Sequence, residues 1–377
     1  MRFIVQQTVL LGALHKIIGV IPAKTTISIL SSFLFELNND NLKITGTDLE
    51  ISVSTSIDVN GQEDGSIAIP AKIILEIVRE LPDIPLDISS EEDSRVSIIT
   101  EKGLYRISGD SKDDFPNIIV EDSEGSTEMD SAKLHRMITK TMFAVSTDEL
   151  RTALMGVYFQ IMEDEFKLVS TDGHRLVKIV DKNFRSPSFQ INVIVPTKAL
   201  NILLRNMEAS LIEANEKINL QLSENHVIFT FGRSSIYSKT IEAKYPKYEN
   251  VIPLDNDKRL LVNRDSLIAS VRRVSIFSNS ITHQMRFIIS QNKLEIRSED
   301  LEFGGEAKEE IPADYNSDDL EIGYNSYYIL DILKNIDTDE VVIMLKNATS
   351  AAIFYPITQI AGEDLMMLVM PIRLVDE

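Results

Sequence analysis

The chain has 377 residues, 44% of them hydrophobic and 25% charged, and a formal net charge of −20. That length fits two or three globular domains, each able to bury its own core. The absence of cysteine excludes disulfides, thiolate metal sites and a cysteine nucleophile, and no apolar run approaches the roughly 20 residues of a membrane helix.

In chain order, Met1-Arg2-Phe3-Ile4-Val5 leads into polar Gln6, Gln7 and Thr8. This lacks the long apolar run of a secretory signal, so a cytoplasmic protein is expected. A helix is predicted over 7–24, with Val9, Leu10, Ala13, Leu14, Ile17 and Ile18 on one face. The strand phrase Leu42-Lys43-Ile44-Thr45-Gly46-Thr47-Asp48 follows. Ile67-Ala68-Ile69-Pro70-Ala71-Lys72 then leads into a second helix over 70–82. Both phrases recur. Phe166-Lys167-Leu168-Val169-Ser170-Thr171-Asp172 and Leu294-Glu295-Ile296-Arg297-Ser298-Glu299-Asp300 repeat the first. Val193-Ile194-Val195-Pro196-Thr197-Lys198 and Leu320-Glu321-Ile322-Gly323-Tyr324-Asn325 repeat the second. Phe115-Pro116, Tyr245-Pro246 and Met370-Pro371 close the three copies. The period is too long for a solenoid. The expectation is three tandem α+β domains over 1–122, 127–253 and 257–377. Loop-like boundaries fall near Glu121–Thr127 and Leu254–Lys258. Each domain should be an antiparallel sheet with two helices on one face.

The remaining predicted helices cover 131–145, 196–209, 263–278 and 325–337; the face of the first of these is Leu134, Met137, Ile138, Thr141, Met142 and Val145. The six helices together carry +7, leaving −27 for strands and loops. Lys133, Arg136 and Lys140 are spaced as one stripe opposite the apolar face. If the helices line one surface, that surface attracts a polyanion.

No catalytic or metal-binding constellation emerges. In Thr171-Asp172-Gly173-His174-Arg175-Leu176, Asp-Gly is a turn signal, and the other copies lack the histidine; a turn with a binding role is the better reading. The five histidines have no metal-ligand spacing, and no phosphate-binding glycine motif is present. The acidic run Glu299–Glu310 reads as a solvated edge or as a charge-complementary subunit interface. The apolar tail Leu368–Leu374 either packs into a core or lines a groove.

Taken together, Thr45-Gly46-Thr47-Asp48-Leu49-Glu50, Asp114-Phe115-Pro116-Asn117, Thr171–Leu176, Ile194-Val195-Pro196, Tyr245-Pro246 and Met370-Pro371-Ile372-Arg373-Leu374 give the chain, nearly end to end, a pattern that resembles the bacterial sliding clamp, the DNA polymerase III beta subunit. The resemblance implies a non-catalytic, cofactor-free processivity factor. Two copies, three domains each, would close head to tail into a six-domain ring around double-stranded DNA. It implies a pocket for short peptide motifs of the replicative polymerase, the clamp loader and repair proteins. Its residues here would be Leu154, Thr171, Gly173, His174, Arg175, Leu176, Pro246, Val251, Asn325, Tyr328, Val369, Met370, Pro371, Ile372, Arg373 and Leu374. Asn250, Thr349, Ala351 and Ile372 depart from the family pattern, as does the extension Val375–Glu377. DNA contacts fall to Lys24, Lys72, Lys198 and Arg151, beside the stripe Lys133, Arg136 and Lys140; Thr152 and Ala153 stand where relatives offer tyrosines. At the dimer seam, Tyr105 and Ile107 would meet Ile276 and Phe277. Two other readings are a peptide-binding adaptor that no longer works on DNA, and an enzyme, which no constellation supports.

Overall fold

The computed structural model describes residues 1–91, 93–117, 125–186, 189–210, 217–300 and 304–374, with the backbone alone for 208–210. The extension Val375–Glu377, the start of the proposed boundary at Glu121 and part of the acidic run lie outside them.

One element order runs three times along the chain, with one extra short strand, Asn60–Glu63, in the first copy. The first copy holds β1 (Arg2–Gln6), α1 (Gln7–Ile17), β2 (Ser32–Asn38), β3 (Asn41–Thr47), β4 (Ile51–Asp58), β5 (Asn60–Glu63), β6 (Gly65–Pro70), α2 (Ala71–Glu80), β7 (Pro85–Ser90), β8 (Arg95–Ile99) and β9 (Leu104–Ser108). The second holds β10 (Gly125–Asp130), α3 (Ser131–Met142), β11 (Gly156–Ile161), β12 (Phe166–Thr171), β13 (Arg175–Asp181), β14 (Ile191–Pro196), α4 (Thr197–Ser210), β15 (Lys217–Leu222), β16 (His226–Phe231) and β17 (Ser234–Lys239). The third holds β18 (Lys258–Asn263), α5 (Arg264–Val274), β19 (Gln284–Ser290), β20 (Lys293–Asp300), β21 (Gly305–Tyr315), β22 (Leu320–Asn325), α6 (Ser326–Lys334), β23 (Glu340–Leu345), β24 (Ala352–Pro356) and β25 (Glu363–Val369).

The chain forms two compact units, Met1–His135 with Val195–Thr240 and Arg136–Ile194 with Ile241–Glu377, and the division falls inside the second copy. The first unit contains a five-stranded sheet ordered β5-β1-β7-β8-β9 and an eight-stranded sheet ordered β10-β15-β16-β17-β4-β3-β2-β6. The second contains twelve strands ordered β14-β11-β12-β13-β25-β24-β23-β18-β21-β20-β19-β22. The sheets are antiparallel as expected, and they are not confined to single copies. Consecutive copies share sheets through antiparallel seams, β17 on β4 and β13 on β25. A strand edge left open by one copy is completed by the next, which removes an aggregation-prone edge.

The helices follow their apolar periodicity. In α1, Leu10, Ala13, Leu14 and Ile17 are buried against the sheet; full burial of one such leucine is worth about 1.5–3 kcal/mol. The helix is shorter than the expected 7–24. It tightens into a 3-10 turn at Ile18–Val20, and Ile21, which precedes Pro22, is extended. Lys24 therefore lies in a loop. Pro70, expected in the first helical turn, instead ends β6 at the N-cap position of α2. Asn263 and Asn325 cap α5 and α6 by accepting from the amides of Ser266 and Tyr327, both at 2.9 Å.

Helix α1 also explains one residue of the repeated phrase. A Cβ on Gly46 would lie 2.7 Å from Ile17 Cγ2, so only glycine admits the helix this close. The second copy has Ser170 there, fully buried, and its hydroxyl donates to Thr141 O at 2.5 Å.

Candidate peptide-binding site and charged helix faces

The repeated Thr-Asp pair builds the same turn twice. In the first copy, Asp48 Oδ1 accepts from the amides of Glu50 and Ile51 at 3.0 and 2.7 Å. Thr47 Oγ1 donates to Ile51 O at 2.9 Å and accepts from Leu49 N. In the second copy, Asp172 Oδ1 accepts from His174 N and Arg175 N at 2.9 and 3.0 Å, and Thr171 Oγ1 donates to Arg175 O at 2.6 Å. The other Asp172 oxygen accepts from Arg175 Nε at 3.1 Å. His174 stacks on Tyr328 with ring centroids 5.9 Å apart. The aspartate thus serves the turn and an arginine rather than an imidazole, which removes the basis for an acid–base pair.

Arg175 fastens this turn to the third copy. It is 11% exposed; Nη1 donates to Asp331 at 2.7 Å and Nη2 to Phe143 O at 2.7 Å, while the guanidinium lies 4.8 Å from the Tyr328 ring centroid. The tail is tied alongside. Met370 N donates to His174 O at 2.8 Å, and Ile372 N to Gly323 O at 2.8 Å. Leu374 packs where a side chain on Gly323 would stand.

Next to these residues lies a mainly apolar cluster that includes Val169, Leu176, Ile194, Tyr245, Tyr248, Ile353, Met366 and Leu368, flanked by half-buried Leu154, Tyr158 and Met344. Tyr158 and Tyr245 stack at 4.4 Å, 6° from parallel, and the Tyr248 hydroxyl donates to Gln160 at 2.6 Å. Burial raises the phenol pKa of Tyr158, Tyr245 and Tyr248, with the charge of Glu249 adding to the effect at Tyr158 and Tyr248. Of the expected pocket residues, Leu176 is buried in the cluster and Leu154 packs against it. Pro246 is exposed, as are Val251 at 51% and Met370 at 40%. Asn325 is occupied by its cap and by a bond to Thr282 O. Arg373 is exposed, Pro371 and Ile372 are half-buried, and Val369 is buried. Of the departures, Ala351 lies in the cluster, and Asn250 and Thr349 are exposed.

Most of the cluster was missed as a site. A signal was available: Leu365-Met366-Met367-Leu368-Val369 is apolar on both faces, whereas the equivalent strands are interrupted by Arg106 and by Ser235 and Ser238. A strand with two apolar faces must be covered twice.

The basic stripe on α3 is corrected. Arg136 donates to Glu363 at 2.9 and 3.1 Å and also to Asp337. Lys140 is 7% exposed and donates to Asn335 O at 2.7 Å and Asp337 at 2.5 Å. Both cations are consumed within the second unit, so the stripe is not a solvated face, and Lys133 is half-buried. Lys198 is half-exposed and pairs with Asp48. Arg151 lies over the second turn, 3.4 Å from Asp148 and donating to Asp172 O at 3.3 Å. Lys24, Lys72 and Arg205 are exposed, without an ion-pair partner among the described residues; Arg205 was missed as a contact candidate. Trimming α1 removes Lys24 from the helices and trimming α6 removes Asp337, so their net charge is unchanged.

At the expected dimer seam, Ile276 and Phe277 are 77% and 41% exposed, and Tyr105 is half-buried on the edge strand β9. Ile107 is only 5% exposed. It points into the core of its own sheet, and any contact there falls to the β9 backbone and its neighbours.

Family models described as the N-terminal, central and C-terminal domains of the DNA polymerase III beta subunit match residues 1–119, 128–247 and 249–373. The beta sliding clamp of Pseudomonas aeruginosa is 32% identical over 379 residues, covering 99% of this chain and 100% of that protein. The crystal structure of a DnaN sliding clamp from Bartonella birtlesii, bound to griselimycin, has a TM-score of 0.93 at 31% identity and covers 99% of this chain and 100% of that one. The crystal structure of a DNA polymerase III beta subunit from Thermotoga maritima has a TM-score of 0.90 at 25% identity, with the same coverage. With three consecutive domain matches and similarity along the whole chain, the protein belongs to the DNA polymerase III beta subunit family, the bacterial sliding clamps.

Proposed function

We propose that two copies of this chain close head to tail into a ring that encircles duplex DNA in the cytoplasm. The ring would tether the replicative polymerase, the clamp loader and repair proteins through short peptides bound at the tyrosine-lined cluster. The chain is a DNA sliding clamp for replication and does no chemistry of its own.

The observation that carries ring closure is a third seam with no partner. Within the chain, Ile236 pairs with Val53 and Met367 with Val177. By sheet register, Tyr105 corresponds to Ile236 and Met367, because it faces Ile98 as they face Phe229 and Phe354. Ala307 corresponds to Val53 and Val177, because it faces Ser298 as they face Gly46 and Ser170. Neither β9 nor the Gly305–Glu310 half of β21 has a second strand neighbour among the described residues. Joining them in the same register places Tyr105 opposite the partner copy's Ala307 and Arg106 opposite its Glu306. Phe277 lies against Gly305, where a Cβ would be 3.2 Å from its ring. This favours the subunit-interface reading of the acidic run over a bare solvated edge.

Sliding requires long-range attraction without grip. The uncommitted cations Lys24, Lys72 and Arg205, with the exchangeable Lys198, Arg151 and Lys133, suit that task better than Arg136 and Lys140. Because the chain has no cysteine, Tyr105→Cys with Ala307→Cys would place thiols only at the proposed seam. Oxidation should yield a covalently closed dimer, which clamp loader should fail to open. The uncrosslinked protein, once loaded, should persist on circular DNA and leave when it is linearised. Absence of the crosslink, or equal loss from circular and linear DNA, refutes the ring.

A further inference from the structure

The tyrosine-lined cluster has a counterpart in the first unit. Thr45, Ser52, Ile228 and Tyr237 occupy by register the positions of Val169, Leu176, Ile353 and Leu368. Thr45 faces Ser54 as Val169 faces Lys178. Tyr237 faces Ser52 across the seam as Leu368 faces Leu176. Ile228 faces Tyr237 as Ile353 faces Leu368. These four residues line a cavity of about 360 Å³, within the size range of ligand sites.

Its chemistry differs from that of the cluster. Ile228 and Tyr237 keep an apolar wall, and hydroxyls replace most of the rest. Among the described residues no carboxylate lines it, although the chain carries 58 acidic residues. Lys43 stands at the cavity, exposed and without an ion-pair partner among the described residues. Thr45, 3% exposed, also lines it, and its hydroxyl has no hydrogen-bond partner among the described residues. A buried hydroxyl left unpaired is costly, and a ligand acceptor would relieve it.

We propose that this cavity is a second binding site, for an extended acidic peptide whose carboxylate meets Lys43 and the hydroxyls while an adjacent apolar side chain rests on Ile228 and Tyr237. The extended-peptide part rests on reading the equivalent cluster as a peptide pocket; the cavity, its charge and its unpaired hydroxyl stand independently of that reading.

The test uses the full chain with isotope-labelled isoleucine methyls, Ile228 and Ile353 being assigned by Ile228→Val and Ile353→Val. The probe is the capped peptide N-acetyl-Gly-Asp-Leu-Gly-amide, and the control carries Asn in place of Asp. The Ile228 methyl should shift saturably with the acidic peptide. Affinity should fall at least tenfold with the Asn peptide and in Lys43→Glu. Thr45→Val should weaken binding at least threefold without lowering the melting temperature, an outcome that a merely structural threonine would not give. No saturable shift at Ile228, or equal affinity for the two peptides, overturns the proposal. A capped Leu-Phe peptide monitored at Ile353 keeps the two sites separable. Response at Ile353 with silence at Ile228 sinks only this proposal, and the reverse counts only against the first pocket.

Discussion

Replacing Lys140 with glutamate tests whether the α3 cations hold the fold. The ammonium is 7% exposed and makes two bonds, to Asn335 O at 2.7 Å and to Asp337 at 2.5 Å. Lys140→Met removes those bonds but leaves Asp337 held by Arg136. With Asp337 half-exposed, the loss should be about 2 kcal/mol. Lys140→Glu adds a carboxylate beside Asp337. At about 4 Å and an effective dielectric of ~20, the repulsion is about 4 kcal/mol. The new side chain can escape by taking up a proton. From a pKa of ~4.3, that costs about 3.7 kcal/mol at pH 7, which caps the extra penalty. The total is therefore about 6 kcal/mol, a drop of roughly 12–24 °C in the melting of the second unit, against roughly 4–8 °C for Lys140→Met. A carboxyl whose folded pKa is raised loses stability as pH rises above its unfolded pKa. The gap between the two variants should therefore shrink by about 1.4 kcal/mol for each unit the pH is lowered from 7 toward 5. Calorimetry of the full chain at pH 5, 6 and 7 measures this. Equal melting of the two variants at pH 7, or a gap independent of pH, would refute the assignment of Lys140 to an internal ion pair.

Three further outcomes follow from the turn, the arginine and the tyrosines. Leu49 has φ +78° where the second copy has Gly173 at φ +91°, so Leu49→Gly should stabilise the chain by about 0.5–1 kcal/mol and Gly173→Leu should destabilise it by about 1–2 kcal/mol; denaturant midpoints decide between these and no effect. Arg175→Ala should cost about 3 kcal/mol and Arg175→Lys about 1–2, since lysine keeps the charge but not the fork holding Asp172, Asp331 and Phe143 O. A double-mutant cycle with Asp331→Asn that shows no coupling would contradict the contact. Burial raises the phenol pKa of Tyr245, Tyr248 and Tyr324. A raised folded pKa contributes stability that is present below the unfolded value near 10 and lost as pH rises above it. Absorbance at 295 nm should therefore show these phenols ionising only together with alkaline unfolding.

Local periodicity carried the six helices, and self-similarity carried the three copies. What the sequence hid was tertiary. Lys133, Arg136 and Lys140 have the spacing of a solvated stripe, but Asp337 and Glu363, far along the chain, lie across from it and claim Arg136 and Lys140. Helical periodicity describes one face of one helix and cannot register such a partner. Lys24 was placed on α1 because the apolar pattern continues through Ile21, yet Pro22 ends the helical geometry before it. Tyr245 was read as a closing phrase. Its stacking on Tyr158 sets a residue of the segment after β17 against strand β11, far away along the chain.

The two internal seams share one register and differ in side chains, and the difference is physically permitted because the seam is held by backbone bonds. Such bonds fix which residues face each other without fixing what they are. Where Tyr245 and Tyr248 cover the sheet, Leu176 and Leu368 can be apolar, and the seam joins a buried apolar cluster. At the equivalent seam of the first unit, Ser52 and Tyr237 stand there instead, and the same geometry yields a polar cavity. The open edges obey a third requirement. A strand that awaits a partner in solution must not pair with any passing edge, and alternating charge is how edges avoid it. Glu306, Lys308 and Glu310 alternate along β21, and Arg106 stands on β9. The charges that keep these edges from random pairing are also the ones that would select one register when a second copy arrives, so restraint and specificity at the ring seam come from the same side chains.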